Sequence, residues 1–169
     1  MEIRSFIKSL ALLLLLFGCE RKTDIIDPVV AINELMPLNT TVVSDPDGDF
    51  DDWIELYNMS SESFDLSGYF LSDNEKHISK WQFPASTEIE GKGFLIIWAD
   101  DDSSGTGLHA NFKLSSLGEE VLLSDPDGNL IDKVLYPGQS LELSYSRKPD
   151  GNGAFIWQLP TFARSNNSN

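Results

Sequence analysis

From Val29 onward the apolar residues fall in short runs rich in β-branched and aromatic side chains, each closed off by Gly, Asp, Asn, Ser or Pro. Nine such runs, at 29–35, 53–57, 64–71, 80–83, 94–98, 120–123, 130–136, 141–146 and 155–157, read as strands. Two of them, Trp53-Ile54-Glu55-Leu56-Tyr57 and Leu141-Glu142-Leu143-Ser144-Tyr145, alternate, which places one set of side chains toward a core and the other toward solvent. Beyond residue 18 no window of helical length keeps an apolar stripe at spacings of three and four, and Asp-Gly pairs at 47–48, 127–128 and 150–151 mark turns. The pattern predicts an all-β fold, a sandwich of about nine short strands, and the lack of alternating helices argues against a βαβ nucleotide-binding architecture.

The first 18 residues follow different rules. Arg4 and Lys8 precede an unbroken apolar block from Leu10 to Phe17, which ends in Gly18-Cys19. A basic head, a short apolar stretch and a small residue before the cut describe a secretory signal peptide, and the block is shorter than the roughly 20 residues of a membrane-spanning helix. Leu16-Phe17-Gly18-Cys19 resembles a bacterial lipobox, which makes Cys19 the expected lipidation site and the first residue after cleavage. Cys19 is also the single cysteine of the chain, so an internal disulfide framework is excluded, and thioether lipidation caps a thiol that would otherwise be a liability outside the cytoplasm. Two or more acyl chains suffice for stable anchoring. The expected organisation is a signal peptide at 1–18, a polar tether at 19–28 that reaches about 30 Å when extended, a β-domain at 29–162 and a flexible C-terminal end at 163–169. The expected location is the bacterial cell envelope, with the membrane contacted through the lipid.

Charge narrows the partners. Removal of residues 1–18 takes Glu2, Arg4 and Lys8 and leaves 26 acidic against 10 basic residues, a formal charge of −16. Such a surface repels nucleic acid and bare anionic lipid, so no nucleic-acid partner is expected, and a protein partner is favoured where its surface is basic.

The densest local chemistry is Asp45-Pro46-Asp47-Gly48-Asp49-Phe50-Asp51-Asp52, five carboxylates in eight residues between two expected strands. Hard oxygen donors on a turn suit calcium, and Asp45, Asp47, Asp49 and Asp52 are the candidate ligands; the glycine stands too early for an EF-hand loop, and the alternative is a solvated acidic turn. Asp125-Pro126-Asp127-Gly128 reads as a hairpin turn. The two histidines, His77 and His109, stand in no metal-ligand spacing with Cys or with each other, and no Gly-x-Ser-x-Gly elbow is present, so neither a zinc enzyme nor a serine hydrolase is indicated.

Read in order, Ile32-Asn33-Glu34-Leu35-Met36-Pro37, Asp52-Trp53-Ile54-Glu55-Leu56-Tyr57-Asn58, Asp65-Leu66-Ser67-Gly68-Tyr69, Trp81-Gln82-Phe83-Pro84, Gly93-Phe94-Leu95-Ile96-Ile97-Trp98-Ala99, Leu108-His109-Ala110-Asn111-Phe112 and Ser144-Tyr145-Ser146-Arg147 resemble the lamin-tail domain family of bacterial exported proteins. The resemblance implies an immunoglobulin-like β-sandwich that acts as a noncatalytic module, with no catalytic residues to carry over. The chain departs from the family near its end, where Phe162-Ala163 occupies the place of a Pro-Gly turn. Beneath the resemblance, Trp53, Trp81 and Trp98 read as core, and Glu34, Glu55 and Asn58 as hydrogen-bonding residues beside buried strands. The function expected is that of an envelope lipoprotein whose sandwich engages an envelope protein or an extracellular polymer. The alternatives are a calcium-assisted carbohydrate-binding module, with Tyr136, Tyr145 or Trp157 stacking on sugars, and a hydrolase acting near the acidic loop.

Overall fold

The computed structural model describes residues 28–102, 104–139 and 141–168, so the expected signal peptide, Cys19 and all of the expected tether except Pro28 lie outside the described residues. The strands are β1 (Val30–Met36), β2 (Asp52–Asn58), β3 (Phe64–Asp65), β4 (Phe70–Ser72), β5 (Trp81–Gln82), β6 (Glu88–Ile89), β7 (Phe94–Ala99), β8 (His109–Ala110), β9 (Gly118–Ser124), β10 (Leu130–Pro137), β11 (Ser144–Lys148) and β12 (Ala154–Gln158). A six-stranded sheet in the order β12-β11-β1-β2-β7-β8 faces a four-stranded sheet in the order β10-β9-β4-β5, and β3 pairs with β6. This is the expected sandwich.

The strand count exceeds nine because two-residue strands such as β6 and β8 are too short to show alternation. The expected strand at 64–71 divides into β3 and β4 at a turn in which Asp65 accepts the Ser67 N–H and Gly68 adopts φ +80°. The alternation over 141–145 misleads for another reason: Leu143 N–H bonds back to the Leu141 carbonyl, and the strand begins at Ser144.

Between the sheets lie Ile32, Leu35, Ile54, Leu56 and Ile97 from one side and Leu71, Trp81, Val121, Leu123 and Tyr136 from the other. A β-bulge in β1 decides which residues of that strand face them. The register passes from Ile32↔Leu56 to Glu34↔Glu55, leaving Asn33 as the extra residue. The extra residue switches the parity of the strand, so Ile32 and Leu35 both point into the core and Glu34 points to the opposite face. Without it, Glu34 would replace Leu35 in the apolar layer.

That opposite face is covered too, which corrects the expectation that β2 turns one set of side chains to solvent. Trp53, Ile54, Glu55 and Leu56 are all fully buried. The cover is the chain end. Phe162 wedges between Trp53 (centroids 5.2 Å apart, edge-on) and Trp98 (5.7 Å), closing a small second core with Met36. Within the end expected to be flexible, Asn166 is fully buried, donating to the carbonyls of Asn33 (3.1 Å) and Arg147 (3.0 Å).

Polar groups hold this strap. Glu34 accepts the Thr161 N–H (2.9 Å) and hydroxyl (2.6 Å); Glu55 accepts the Ala163 N–H (2.7 Å) and the Asn33 amide (3.0 Å). The hydrogen-bonding role expected for both glutamates is thus met, as it is for Asn58, whose side chain spans the Glu62 and Ile89 carbonyls. At the opposite margin, Asp132 accepts the Ile32 N–H (2.9 Å) and both of its oxygens take Arg147 (2.7 and 2.9 Å), tying β10 to β1 and β11.

Candidate functional site

The registers place the chemistry at one end of the sandwich. The chain enters β1 at Val30, leaves it at Met36 opposite Trp53, and Asp52 in turn pairs with Ala99. Loop 37–51 and residues 100–102 and 104–108 therefore lie side by side at the end remote from the entry point. Thr40 and Thr41 bond Glu142, which brings residues 141–143 to the same end. Tyr136 donates to Glu119 (2.9 Å), Asp52 senses the Glu119 charge and Tyr136 senses that of Asp52, so the 115–119 turn lies there as well.

The acidic motif folds into a capped turn. Asp45 Oδ1 accepts the backbone N–H groups of Asp47 (3.0 Å), Gly48 (2.7 Å) and Asp49 (2.8 Å). Asp125 Oδ1 does the same for Asp127 (3.0 Å) and Asn129 (2.7 Å) in the β9–β10 hairpin. The two Asp-Pro-Asp-Gly motifs are thus the same device, an aspartate that satisfies the donors of a tight turn. Asp47 reaches outward, accepting the Thr106 N–H (2.7 Å) and hydroxyl (3.1 Å) and so stapling the turn to the 104–107 loop.

The four aspartates singled out in the sequence do not gather. Asp52 turns toward Asn39, whose N–H it accepts at 3.2 Å, and burial pushes its carboxyl up to about 6. Asp49 is exposed. What converges with Asp45 and Asp47 is instead His109, sixty-odd positions downstream: one ligand atom of each lies within 4.8 Å of the others. A four-carboxylate calcium shell does not match this set, because imidazole is foreign to calcium's oxygen preference.

His109 is held by the sheet. β8 pairs in parallel with β7, setting Trp98 opposite His109, and Asp100 follows at the end of β7. The His109 side chain is only 3% exposed, and Nδ1 lies 2.7 Å from Asp100 Oδ2. The second ring nitrogen, Nε2, faces the Thr106 carbonyl at 3.4 Å. A Cβ on Gly105 would come within 2.7 Å of Nε2, so glycine is what allows the loop to cross the ring so closely. Burial pulls the ring's affinity for a proton down, but the Asp100 hydrogen bond and charge, with Thr106 and Asp45, more than offset it, and the net direction is upward. The acidic motif pointed to Asp45 and Asp47, but nothing in the sequence pointed to His109, which comes from a separate loop at no motif spacing.

Beside the acidic loops the same end carries an apolar lip. Leu117 (87% exposed), Leu135 (72%) and Leu141 (65%) stand out from the surface. A concavity of about 240 Å³ between Gln139, Leu141, Leu143 and Trp157 adjoins them. Of the aromatic rings named as sugar platforms, Tyr136 is buried; Tyr145 and Trp157 are half-buried, and Tyr145 packs on both Trp157 (4.8 Å) and Phe155 (5.1 Å). At the entry end a concavity of about 280 Å³ is lined by Val29, Val30, Phe64, Tyr69, Leu123 and Ile131.

Compared with known proteins, residues 28–138 match the family model described as Lamin Tail Domain. No curated protein matches the chain. The family match stops before β11, β12 and the covering strap, which complete the six-stranded sheet and its outer face.

Proposed function

Because the chain belongs to the Lamin Tail Domain family, a family of non-enzymatic immunoglobulin-like modules, we propose that it is a noncatalytic envelope lipoprotein. In this reading, lipid on Cys19 holds it to the membrane and the sandwich presents its remote end to another envelope protein. The observation that supports this most directly is the polarity of the domain. The chain enters at Val30, whereas exposed Leu117, Leu135 and Leu141 and the acidic loops 45–51 and 100–102 sit at the opposite end. Apolar anchors flanked by charge are the composition of a protein-docking surface, and the acidic border favours a partner with basic residues at its rim.

The test is site-specific photocrosslinking in intact cells. A crosslinker at Leu117 or Leu141 should capture a discrete partner, while one at Asn152, by the entry end, should not. Leu135→Asp should abolish capture without releasing the protein from the membrane, and Cys19→Ser should release it. Capture from Asn152 alone, or capture unaffected by Leu135→Asp, would refute the reading.

A second reading, recognition of an extracellular carbohydrate polymer, is favoured by the single observation that Trp157 borders the concavity beside Leu141 and Leu143. Retention on polysaccharide columns that Trp157→Ala eliminates would support it; retention unaffected by that change would remove it.

A further inference from the structure

We propose that Asp45, Asp47 and His109 form a binding site for a divalent transition ion of the zinc class. The inference is independent of the docking surface described above.

The imidazole of His109 anchors the site. His109 is 97% buried in its side chain, and its contact with the Asp100 carboxylate at 2.7 Å requires the proton to be on Nδ1. In the neutral ring Nε2 therefore carries a lone pair. Its neighbour among the described residues is the Thr106 carbonyl oxygen, which is also an acceptor and cannot satisfy it. A metal ion bound at Nε2 would satisfy this lone pair, in competition with a proton that Nε2 would donate to the Thr106 carbonyl. A carboxylate bonded to the far nitrogen of a histidine is the arrangement that orients metal-ligating imidazoles and fixes their tautomer.

The carboxylates complete the set. Asp45 Oδ1 is taken by the three N–H groups of its turn, but Oδ2 makes no hydrogen bond among the described residues. The turn donors thus lock this side chain in place while leaving one oxygen to ligate. Asp47 is exposed, and one of its two hydrogen bonds from Thr106 loosens when an oxygen turns to ligate. The three ligand atoms lie within 4.8 Å of one another. Ligands about 2.1 Å from a tetrahedral zinc stand about 3.4 Å apart, so closure from 4.8 Å requires a movement of up to about 1.4 Å, which rotation of the exposed Asp47 side chain supplies. One imidazole with two carboxylates selects zinc and its neighbours over calcium and magnesium, which prefer all-oxygen shells.

The experiment is calorimetric titration of the full chain, purified in detergent and stripped by chelator, with Zn²⁺ alone and with Ca²⁺ alone. One zinc per chain should bind with micromolar or tighter affinity, and a large excess of calcium should not displace it. Asp45→Asn keeps the turn-capping oxygen, and with His109→Gln it should weaken zinc binding about tenfold or more. His77→Gln, at the exposed histidine, should leave binding unchanged. Circular dichroism of each variant separates lost ligation from lost folding. The proposal is overturned if zinc shows no saturable site, if Asp45→Asn and His77→Gln bind it equally, or if calcium competes on equal terms.

Discussion

Ala163 offers a test of the strap that does not depend on any partner. Its backbone sits at φ +57°, next to Phe162 at +35°, in the left-handed region that side chains with a Cβ disfavour. An L-residue there costs about 1–2 kcal/mol relative to a right-handed position. The Ala163 methyl is exposed, so removing it takes away no packing, and the N–H that reaches Glu55 at 2.7 Å survives substitution. Glycine returns part of the gain through the greater freedom of its unfolded chain, about 0.4–1 kcal/mol. Ala163→Gly should therefore stabilise the fold by about 0.5–1 kcal/mol, a rise in Tm of roughly 1–4 °C for a domain of this size. Ala154→Gly is the matched control: Ala154 is equally exposed but lies in the extended strand β12, where glycine should cost about 0.5–1 kcal/mol. Thermal unfolding followed by circular dichroism, with urea midpoints as a second measure, distinguishes the two. If both variants lose stability by similar amounts, the left-handed strap conformation is wrong, and with it the account of why β2 is buried on both faces.

Two further outcomes follow from the buried polar layer. Gly151 lies at φ +77°, donates to Asn33 and would carry a Cβ 2.5 Å from the Met59 side chain, so Gly151→Ala should lower the urea midpoint by an amount equivalent to about 2 kcal/mol or more, with the m-value unchanged. Burial, reinforced by the nearby Glu34 charge and opposed by the Asn33 and Ala163 hydrogen bonds, pushes the Glu55 carboxyl up to about 8 from an ordinary 4.5. The folded protein then holds a proton that the unfolded chain has released, so this contribution is complete below about pH 4.5 and is lost as pH rises through about 8. Between pH 6 and 8 unfolding free energy should fall by up to about 1.4 kcal/mol per pH unit from this group, and Glu55→Gln should flatten that slope; equal slopes in both proteins would show that Glu55 is ionised in the fold.

Residues near in sequence announced most of the sandwich. Runs such as 94–98 and 130–136 carry their own strand propensity and turn boundaries, and Asp125-Pro126-Asp127-Gly128 folds as the hairpin turn its composition implies. Trp53, Trp81 and Trp98 are core as their apolar neighbours suggested. The same locality explains where the reading failed. Alternation over 53–57 describes a strand with one wet face, but whether that face stays wet depends on a segment a hundred residues away, and Phe162 and Asn166 cover it. Leu141-Glu142-Leu143 alternates like a strand, yet Glu142 is engaged by Thr40 and Thr41 across the domain.

The candidate metal group shows the same division. Composition pointed to the 45–52 loop because charge density is a property of neighbouring residues, and Asp45 and Asp47 do belong to the group that forms. Asp49 drops out as an exposed residue of the turn, and Asp52 because it opens β2 and turns toward Asn39. His109 enters because parallel pairing of β8 with β7 sets it beside Asp100 and under the 104–107 loop. The sequence by itself determined the longer strands, the Asp-Gly turns, the acidic charge and the expectation of a lipid on Cys19, all of which depend on near neighbours. Only the tertiary structure decided which faces are dry and which carboxylates meet a buried imidazole, because both depend on register and on chain segments that approach from far apart.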